Sequence, residues 1–290
     1  MGGHDGFMPL AKPAGLSSAA AVGKAKRLLG LDRKTRIGHT GTLDPLAEGL
    51  LVLAIGPASR FIRFLVPDKE YEVQVAFGRA TDSYDAEGAV TAEAPAPADL
   101  AARIEAALPR FRGEFEQAAP AHSALKHQGR PLYRYARAGE QAPVKKRLVR
   151  ISRLETLRLE GARLTLAAAC SAGTYMRSLA HDLGEACGCP AHMAGLRRTV
   201  CNGLRLEQAA DFEALAEAQP LPVAEMLAHL PRADLNADEA AALRHGRGVE
   251  SPGIAGFVRL LAPGAEFIGV GEERDGELRP AKLLPEPEAG

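Results

Sequence analysis

The chain has 290 residues, and its 36 lysines and arginines balance 36 aspartates and glutamates, so the formal net charge is zero. No stretch provides the ~18–20 uncharged apolar residues of a membrane span, and the four unevenly spaced cysteines are not typical of a disulfide-rich secreted protein. Because the first residues lack the apolar core of a secretory signal, we expect a cytoplasmic protein.

The first half of the chain contains two predicted helices and two predicted strands. A helix is expected from Ser17 to Gly30, with a serine at its start and a glycine at its end. The apolar run of residues 50–55 predicts a strand buried on both faces, and the alternation of residues 71–77 predicts a half-buried strand. Asp99 is expected to cap the next helix. The apolar face of that helix contains Leu100, Ile104 and Leu108.

The second half is predicted to be richer in strands. Residues 149–159 and 163–169 are expected to form a hairpin, and residues 174–187 have helical spacing. Prolines cluster between Gln219 and Pro231, which predicts a domain boundary in a chain of two-domain length. A short helix at 237–244 and a final hairpin follow. Strands and helices do not alternate as regular βαβ units, so an α+β fold is expected rather than a doubly wound sheet.

One aspartate, Asp44, lies between glycines and a proline just before the first buried strand. Glycine permits close backbone approach, and Pro45 disfavours the α conformation at Asp44. These features suit a carboxylate held in a fixed position beside the core. Asp-Pro is also a common helix start, with Asp44 as the N-cap and Pro45 as the first helical residue. The residues alone leave both interpretations open.

Zero net charge conceals a strong segregation of charge. The segment from His122 to Arg153 is basic and contains Glu140 as its one acid, whereas the segment from Glu207 to Glu250 is mainly acidic. Tyr133 and Tyr135 interleave with the basic residues, a combination that favours a nucleic-acid surface, since aromatic rings stack on bases while cations contact phosphates. A solvated charged face is the alternative. The cations are Lys126, Arg130, Arg134, Arg137, Lys145, Lys146, Arg147, Arg150 and Arg153.

Five motifs, in this order along the chain, resemble those of the TruB-type tRNA pseudouridine synthases. They span residues 12–18, 38–49, 69–73, 123–137 and 173–179. The resemblance implies a catalytic domain at residues 10–225 with a mixed, largely antiparallel sheet and an RNA-gripping insertion at about residues 122–153. It also implies a small β-rich PUA-like RNA-binding domain at residues 232–285, on the basis of residues 243–248 and the final hairpin.

The implied reaction is the isomerisation of uridine 55 in the T arm of tRNA to pseudouridine. The base would be flipped out of the stack, the C1′–N1 bond broken, and C1′ joined to C5. Rearrangement within one substrate requires no cofactor. The expected partner is tRNA alone, acting on a monomer with no protein partner and no membrane.

The resemblance also assigns roles to individual residues. Asp44 would be the catalytic carboxylate, which acts either as a nucleophile or as the base that removes a ribose proton. Arg177 would pair with it; on propensity alone, Arg177 is a surface charge on a helix. Tyr71 would lie against the uracil and could assist removal of the C5 proton; without the family it is an inward residue of a strand. The further substrate-binding residues would be Tyr175 and Leu196 in the uracil pocket, His39 in the space left by the base, Lys12 and Lys69 (otherwise solvated lysines) beside the site, and Lys126, Arg130 and Arg134 in the insertion.

The sequence leaves three alternatives to this function open. The chain could be the catalytic subunit of an RNA-guided pseudouridylation particle, or a tRNA-binding or tRNA-folding protein. It could also be a metal-dependent hydrolase, because Cys187, Cys189 and His192 lie close together with His181 nearby. The Cys-x-Cys spacing is not that of a zinc site, so no metal is expected. Tyr84 departs from the family pattern, in which a smaller residue is common.

Overall fold

The computed structural model describes residues 4–120, 126–127, 130–131, 146–251 and 253–286. Its helices are α1 (Ser18–Leu28), α2 (Leu100–Ala107), α3 (Met176–Ala186), α4 (Val223–Met226) and α5 (Ala237–Arg244). Its strands are β1 (Gly6–Lys12), β2 (Ile37–His39), β3 (Glu48–Ile55), β4 (Lys69–Phe77), β5 (Arg79–Thr81), β6 (Val90–Glu93), β7 (Gly113–Ala118), β8 (Lys126–His127), β9 (Arg130–Pro131), β10 (Lys146–Glu160), β11 (Arg163–Cys170), β12 (Ala191–Cys201), β13 (Leu204–Arg205), β14 (Arg232–Asp234), β15 (Val249–Glu250), β16 (Gly256–Ala262), β17 (Glu266–Arg274) and β18 (Glu277–Leu283). Within these ranges, no helix has both the length and the apolar character needed to cross a membrane.

A nine-stranded sheet forms the larger part of the molecule, with the strand order β1-β3-β12-β4-β11-β10-β7. β2 pairs with the C-terminal part of β3, and β13 pairs with the C-terminal end of β12. The pairing is antiparallel throughout except between β3 and β12, which are parallel. The expected α+β class with a mixed, largely antiparallel sheet is therefore confirmed.

The central strand β4 aligns several predicted site residues across the sheet. Tyr71 on β4 is opposite Arg198 on β12, and Val73 is opposite Leu196. Side chains of directly opposed residues share one face of a sheet, so the β4–β12 pair places Tyr71 and Leu196 on the same side. The helices α1, α2 and α3 cover this face and bury the apolar core beneath them.

A second, five-stranded sheet has the order β14-β16-β17-β18-β15 and follows the proline-rich segment. Its own core contains residues of α5, β16 and β18. It also packs on the far face of the large sheet, because Phe267 and Val270 join a cluster with Leu50 and Val52 of β3. The rings of Phe61 and Phe267 are 6.1 Å apart between centroids.

Most predicted helices and strands are confirmed. Ser17 caps α1 as expected, by accepting a hydrogen bond from the Ala20 backbone N–H. The predictions for Asp99 and Asp44 differ from the structure. Asp99 precedes α2 but makes no side-chain capping bond, because its carboxylate pairs instead with Arg103, 2.8 Å away. The N-cap interpretation of Asp44 is wrong: residues 41–47 form an irregular turn that leads directly into β3 rather than into a helix.

Candidate active site

A cavity of about 670 Å³ opens where the Asp44 turn, β4 and the start of α3 meet. Its size lies within the range typical of ligand sites. Predicted site residues that line it are Asp44, Lys69, Tyr71, Tyr175, Arg177 and Leu196. Of the others, Lys126 and Arg130 lie in the short β8 and β9 strands, whose side chains are not described. Arg134 lies outside the described residues.

Arg177 and Asp44 form the ion pair that the resemblance implies. The Arg177 Nε lies 2.9 Å from the Asp44 Oδ2, and the arginine side chain is only 7% exposed against 33% for the aspartate. The surface-charge alternative for Arg177 is therefore wrong. Ser18 fixes the turn, since its hydroxyl accepts from the Leu43 N–H and donates to the Leu43 carbonyl. An oriented carboxylate thus faces the cavity, and part of it remains accessible.

A second carboxylate, Asp85, approaches the same guanidinium and was not singled out from the sequence. Its Oδ2 lies 3.6 Å from the Arg177 Nη1, which also donates to the Ser83 carbonyl at 3.3 Å. The Ser83 hydroxyl donates to the Asp85 Oδ1 at 2.6 Å. Arg177 is thus held from both sides by acids. The neighbouring Asp82 has a local role and accepts a hydrogen bond from the Ala89 N–H.

Tyr71 is buried at the floor of the cavity and is 8% exposed. Burial raises its pKa to about 12, against the smaller opposing effect of the Arg198 charge. The phenol therefore keeps its proton at neutral pH, so Tyr71 can offer a hydrogen-bond donor as well as a flat apolar ring to a bound base.

Tyr175 forms one wall of the cavity, immediately before α3. Its backbone is fixed by Gln117, whose side-chain amide accepts from the Tyr175 N–H at 2.8 Å and donates to the Tyr175 carbonyl at 3.0 Å. The Arg147 guanidinium lies 5.4 Å from the centre of the Tyr175 ring. It donates to the Gly173 carbonyl at 3.3 Å, so one cation of the basic segment stands at the rim of the cavity.

The two lysines near the site differ in their surroundings. Lys12 is fully buried and its Nζ donates to the carbonyls of Pro13 and Leu16, at 2.8 and 2.6 Å. It secures neighbouring backbone, and the idea that it is solvated is wrong. Lys69 lines the cavity, and burial lowers its pKa. His39 lies on β2 outside the lining residues, where burial lowers its pKa.

Arg198 is a further functional candidate, besides Asp85, that sequence reasoning missed. It is fully buried, and its guanidinium donates to three backbone carbonyls. A signal was present in the chain. Arg198 occupies an inward position of β12, opposite Tyr71, where a charged residue is unusual.

The cysteine-based metal alternative is not supported. Among the described residues, the one cluster of potential ligands is His181, Asp182 and Glu185 on α3, and neither cysteine joins it. Cys187 ends that helix as its C-cap. His181 instead stacks on Tyr84, with ring centroids 3.9 Å apart and planes 7° from parallel.

A cavity with a few convergent polar groups, here a buried arginine in contact with two carboxylates, is the default candidate for an active or binding site. Residues 26–176 match the TruB family pseudouridylate synthase N-terminal domain. Residues 177–230 match the tRNA pseudouridylate synthase B C-terminal domain, and residues 231–284 match the pseudouridine synthase II TruB C-terminal domain. The chain belongs to the TruB family and is a pseudouridine synthase, an isomerase.

Similar proteins extend the match to nearly the whole chain. The tRNA pseudouridine synthase B of Azoarcus sp. (strain BH72) is 43% identical over 290 residues, which cover 97% of this chain and 95% of that protein. The tRNA pseudouridine synthase B of Thiobacillus denitrificans is 45% identical over 289 residues, with 97% and 96% covered. A crystal structure of a Cbf5-Nop10-Gar1 complex aligns with a TM-score of 0.72 at 25% identity, covering 96% of this chain and 84% of that one.

Proposed function

We propose that this enzyme converts uridine 55 in the T arm of tRNA to pseudouridine, with Asp44 as its catalytic residue. The observation that carries the proposal is the Asp44–Arg177 contact of 2.9 Å inside the cavity. The tRNA substrate is supported by relatives at 43–45% identity that are named tRNA pseudouridine synthase B. The position within tRNA rests on the five motifs that resemble those of the TruB-type enzymes.

The proposed chemistry follows from the arrangement of the cavity. The uridine leaves the stack and enters the cavity, where its uracil lies against Tyr71 and Leu196 and its ribose faces Asp44. Asp44 either attacks C1′ or removes a ribose proton, so that the C1′–N1 bond breaks and its electron pair leaves with the uracil. The uracil turns and C5 bonds to C1′, as the Asp44–C1′ ester breaks in the first route or as the ribose regains the proton that Asp44 removed in the second. The C5 proton is then lost to a base and N1 gains a proton. No atom is gained or lost overall, so the reaction requires no cofactor.

Arg177 orients the Asp44 carboxylate in this mechanism. A guanidinium forms directional contacts with carboxylates, and the additional contact with Asp85 limits its rotation. Tyr71 supports the uracil with its ring and donates a hydrogen bond from its protonated hydroxyl. The exposed third of the Asp44 side chain leaves room for the ribose.

The proposal is tested with an unmodified tRNA transcript. The wild-type protein should produce pseudouridine at position 55 alone, as mapped by chemical labelling and primer extension. Asp44→Asn keeps size and hydrogen bonding but removes the charge, so it should bind tRNA and form no pseudouridine. Asp82→Asn is the matched control at the rim of the same cavity and should retain activity. Substantial product from Asp44→Asn, or product at another position, would refute the proposal.

We further propose that the chain acts as a monomer with tRNA as its one macromolecular partner. The described residues of a single chain supply both carboxylates, the arginine and the tyrosine of the cavity. The greater identity to tRNA pseudouridine synthase B than to the Cbf5 chain, 43% against 25%, favours this over an RNA-guided particle. Activity of the purified monomer on tRNA without added RNA or protein is the expected result.

The domain assignment is likewise a proposal. Residues 10–225 would form the catalytic domain, with the basic segment of residues 122–153 gripping RNA. Residues 232–285, which contain the five-stranded sheet, would form a PUA-like RNA-binding domain. Crosslinking of the protein to a photoreactive tRNA should label both segments, and labelling confined to the catalytic domain would contradict the second assignment.

A further inference from the structure

Arg198 is a buried cation with only neutral partners among the described residues. Its Nε donates to the Leu50 carbonyl at 2.7 Å, its Nη1 to the Thr42 carbonyl at 3.2 Å, and its Nη2 to the Gly41 carbonyl at 2.9 Å. The residue is 0% exposed. A charge buried without a counter-ion is unfavourable unless hydrogen bonds replace those it made with water. The three carbonyls must therefore be held closely for the arginine to be tolerated.

The three acceptors belong to one stretch of chain that contains Asp44. Gly41 and Thr42 precede the aspartate, and Leu50 follows it on β3. The guanidinium thus connects both ends of the Asp44 turn to β12 through hydrogen bonds from one planar group. The parallel pairing of Arg198 with Gly49 adds a backbone link at the same place.

Arg198 also connects this turn to Tyr71. The two residues are directly opposite on β12 and β4, and the nearby Arg198 charge opposes the effect of burial on the Tyr71 pKa. Its charge contributes to the lowered pKa of Lys69 at the cavity wall and of His39. Arg198 therefore links the Asp44 turn, through its side chain, to the strand that carries Tyr71, through its place in β12.

We propose that Arg198 is a positioning residue for the isomerisation, which fixes the Asp44 turn relative to Tyr71 through its three carbonyl contacts. This inference depends on the proposed role of Asp44. Arg198 does not line the cavity, so it acts through these two residues and not on the uridine. The planar guanidinium is essential to the role, because the ammonium group of lysine lacks the fixed fork of donors that contacts the three carbonyls.

The test compares Arg198→Lys with Arg197→Lys, its half-exposed neighbour on the same strand. Single-turnover rates are measured with enzyme in excess over tRNA, together with the Kd for tRNA and the unfolding temperature. A displacement of about 1 Å at a reacting group can cost about 100-fold in rate. We expect a loss of that order for Arg198→Lys with an unchanged Kd, and wild-type values for Arg197→Lys.

A second variant separates positioning from folding. Arg198→Gly leaves space for a free guanidinium ion, so added guanidinium chloride at millimolar concentration should restore part of the rate, whereas NaCl at the same concentration should not. A wild-type rate for folded Arg198→Lys would overturn the inference. Failure of both Arg198 variants to fold would also overturn the inference, because Arg198 would then be required for folding and not specifically for positioning the site. If Asp44→Asn were active, the proposed function itself would fail, which is a separate result.

Discussion

At the scale of single residues, the site depends on one arginine shared by two acids. Arg177 contacts Asp44 at 2.9 Å and Asp85 at 3.6 Å while nearly fully buried. The side chain of Asp44, the closer acid, is 33% exposed, whereas that of Asp85 is 6% exposed. We infer that Asp85 balances and restrains the guanidinium, whereas Asp44 remains accessible to substrate.

The first prediction concerns the shape of this guanidinium. Arg177→Lys retains a positive charge but loses the planar group that reaches Asp44, Asp85 and the Ser83 carbonyl together. We expect the single-turnover rate to fall by about 100-fold, the order of loss for a misplaced reacting group, while tRNA affinity is retained. Rapid-quench measurement at saturating enzyme tests this. A wild-type rate would mean that Arg177 does not orient Asp44.

At the scale of secondary structure elements, Gly49 permits the parallel contact between β3 and β12. It has a φ of +102°, and a Cβ there would overlap the Arg198 carbonyl oxygen and lie 2.8 Å from the Arg198 nitrogen. Both contacts are with backbone, which cannot move without separating the strands. Glycine is therefore required at the start of β3, immediately after the Asp44 turn.

The second prediction follows from that contact. Gly49→Ala should lower the free energy of unfolding by about 3 kcal/mol or more, because backbone strain and a clash combine. Gly161→Ala is the control, since Gly161 also has a positive φ, of +55°, but has open space around it. That variant should lose about 1 kcal/mol from strain alone. Equal losses in urea unfolding would contradict the role of the close approach.

The third prediction concerns Asp182 on α3. Burial raises its pKa from 3.8 to about 6, so the folded state holds the proton more tightly than the unfolded state. The stabilising contribution of the neutral acid is present below pH 4 and is lost as the pH rises through about 6. Asp182→Asn should therefore raise the free energy of unfolding by about 1 kcal/mol more at pH 7.5 than at pH 5, after allowance for solvent screening.

The control for this prediction is Glu185→Gln, one turn away. The Glu185 side chain is 72% exposed, and its substitution should produce no gain that increases with pH. Thermal unfolding of both variants at the two pH values provides the measurement. A gain for Asp182→Asn that is the same at pH 5 and pH 7.5 would contradict the assigned titration.

Elements defined by local pattern could be predicted, whereas those defined by distant partners could not. The helix at Ala237–Arg244 and the hairpin of β10 and β11 match their predictions because periodicity and turn residues are local signals. The parallel β3–β12 contact joins segments about 150 residues apart in sequence. No local pattern records such a pairing. Asp99 does not cap its helix because its carboxylate forms an ion pair with Arg103 instead.

The candidate site shows the same division. Asp44 and Arg177 lie within recognisable motifs, so the resemblance identified them. The contacts of Arg198 depend on carbonyls from a different strand and turn, which composition and spacing do not reveal. Asp85 lies three residues after Asp82, and only the geometry of the site distinguishes the two aspartates.

At the scale of the whole molecule, exposed arginines of both sheets pair with acids, as Arg153 of the basic segment does with Glu70, but Arg147 beside the cavity has different contacts. In the five-stranded sheet, exposed arginines pair with acids of the same strand. Arg274 pairs with Glu272 at 2.7 Å, and Arg279 pairs with Glu277 at 2.8 Å. Arg147 of the basic segment instead contacts a carbonyl and an aromatic ring beside the cavity. Phosphate binding is therefore expected mainly from the basic segment.

The fourth prediction measures this difference by salt dependence. Replacing Lys145, Lys146 and Arg147 with Gln should reduce the slope of log affinity for tRNA against log salt by roughly 2–3, at about 0.7–0.9 for each phosphate that the variant no longer neutralises. The control replaces Arg274 and Arg279 with Gln and should change the slope by less than about 1. An unchanged slope in the triple variant would mean that these residues form only a solvated face.

The apolar cluster shared by the two sheets has a consequence for biosynthesis. Leu50 and Val52 of β3 pack in a cluster that also contains Phe267 and Val270, so about 215–220 residues separate the two sides of this contact. At translation rates of about 5–20 residues per second, the ribosome needs about 10–40 s to supply the second side after the first. Strand β3, which follows the Asp44 turn, therefore has part of its outer face uncovered during this time, and an early stop of translation would leave that face available for aggregation.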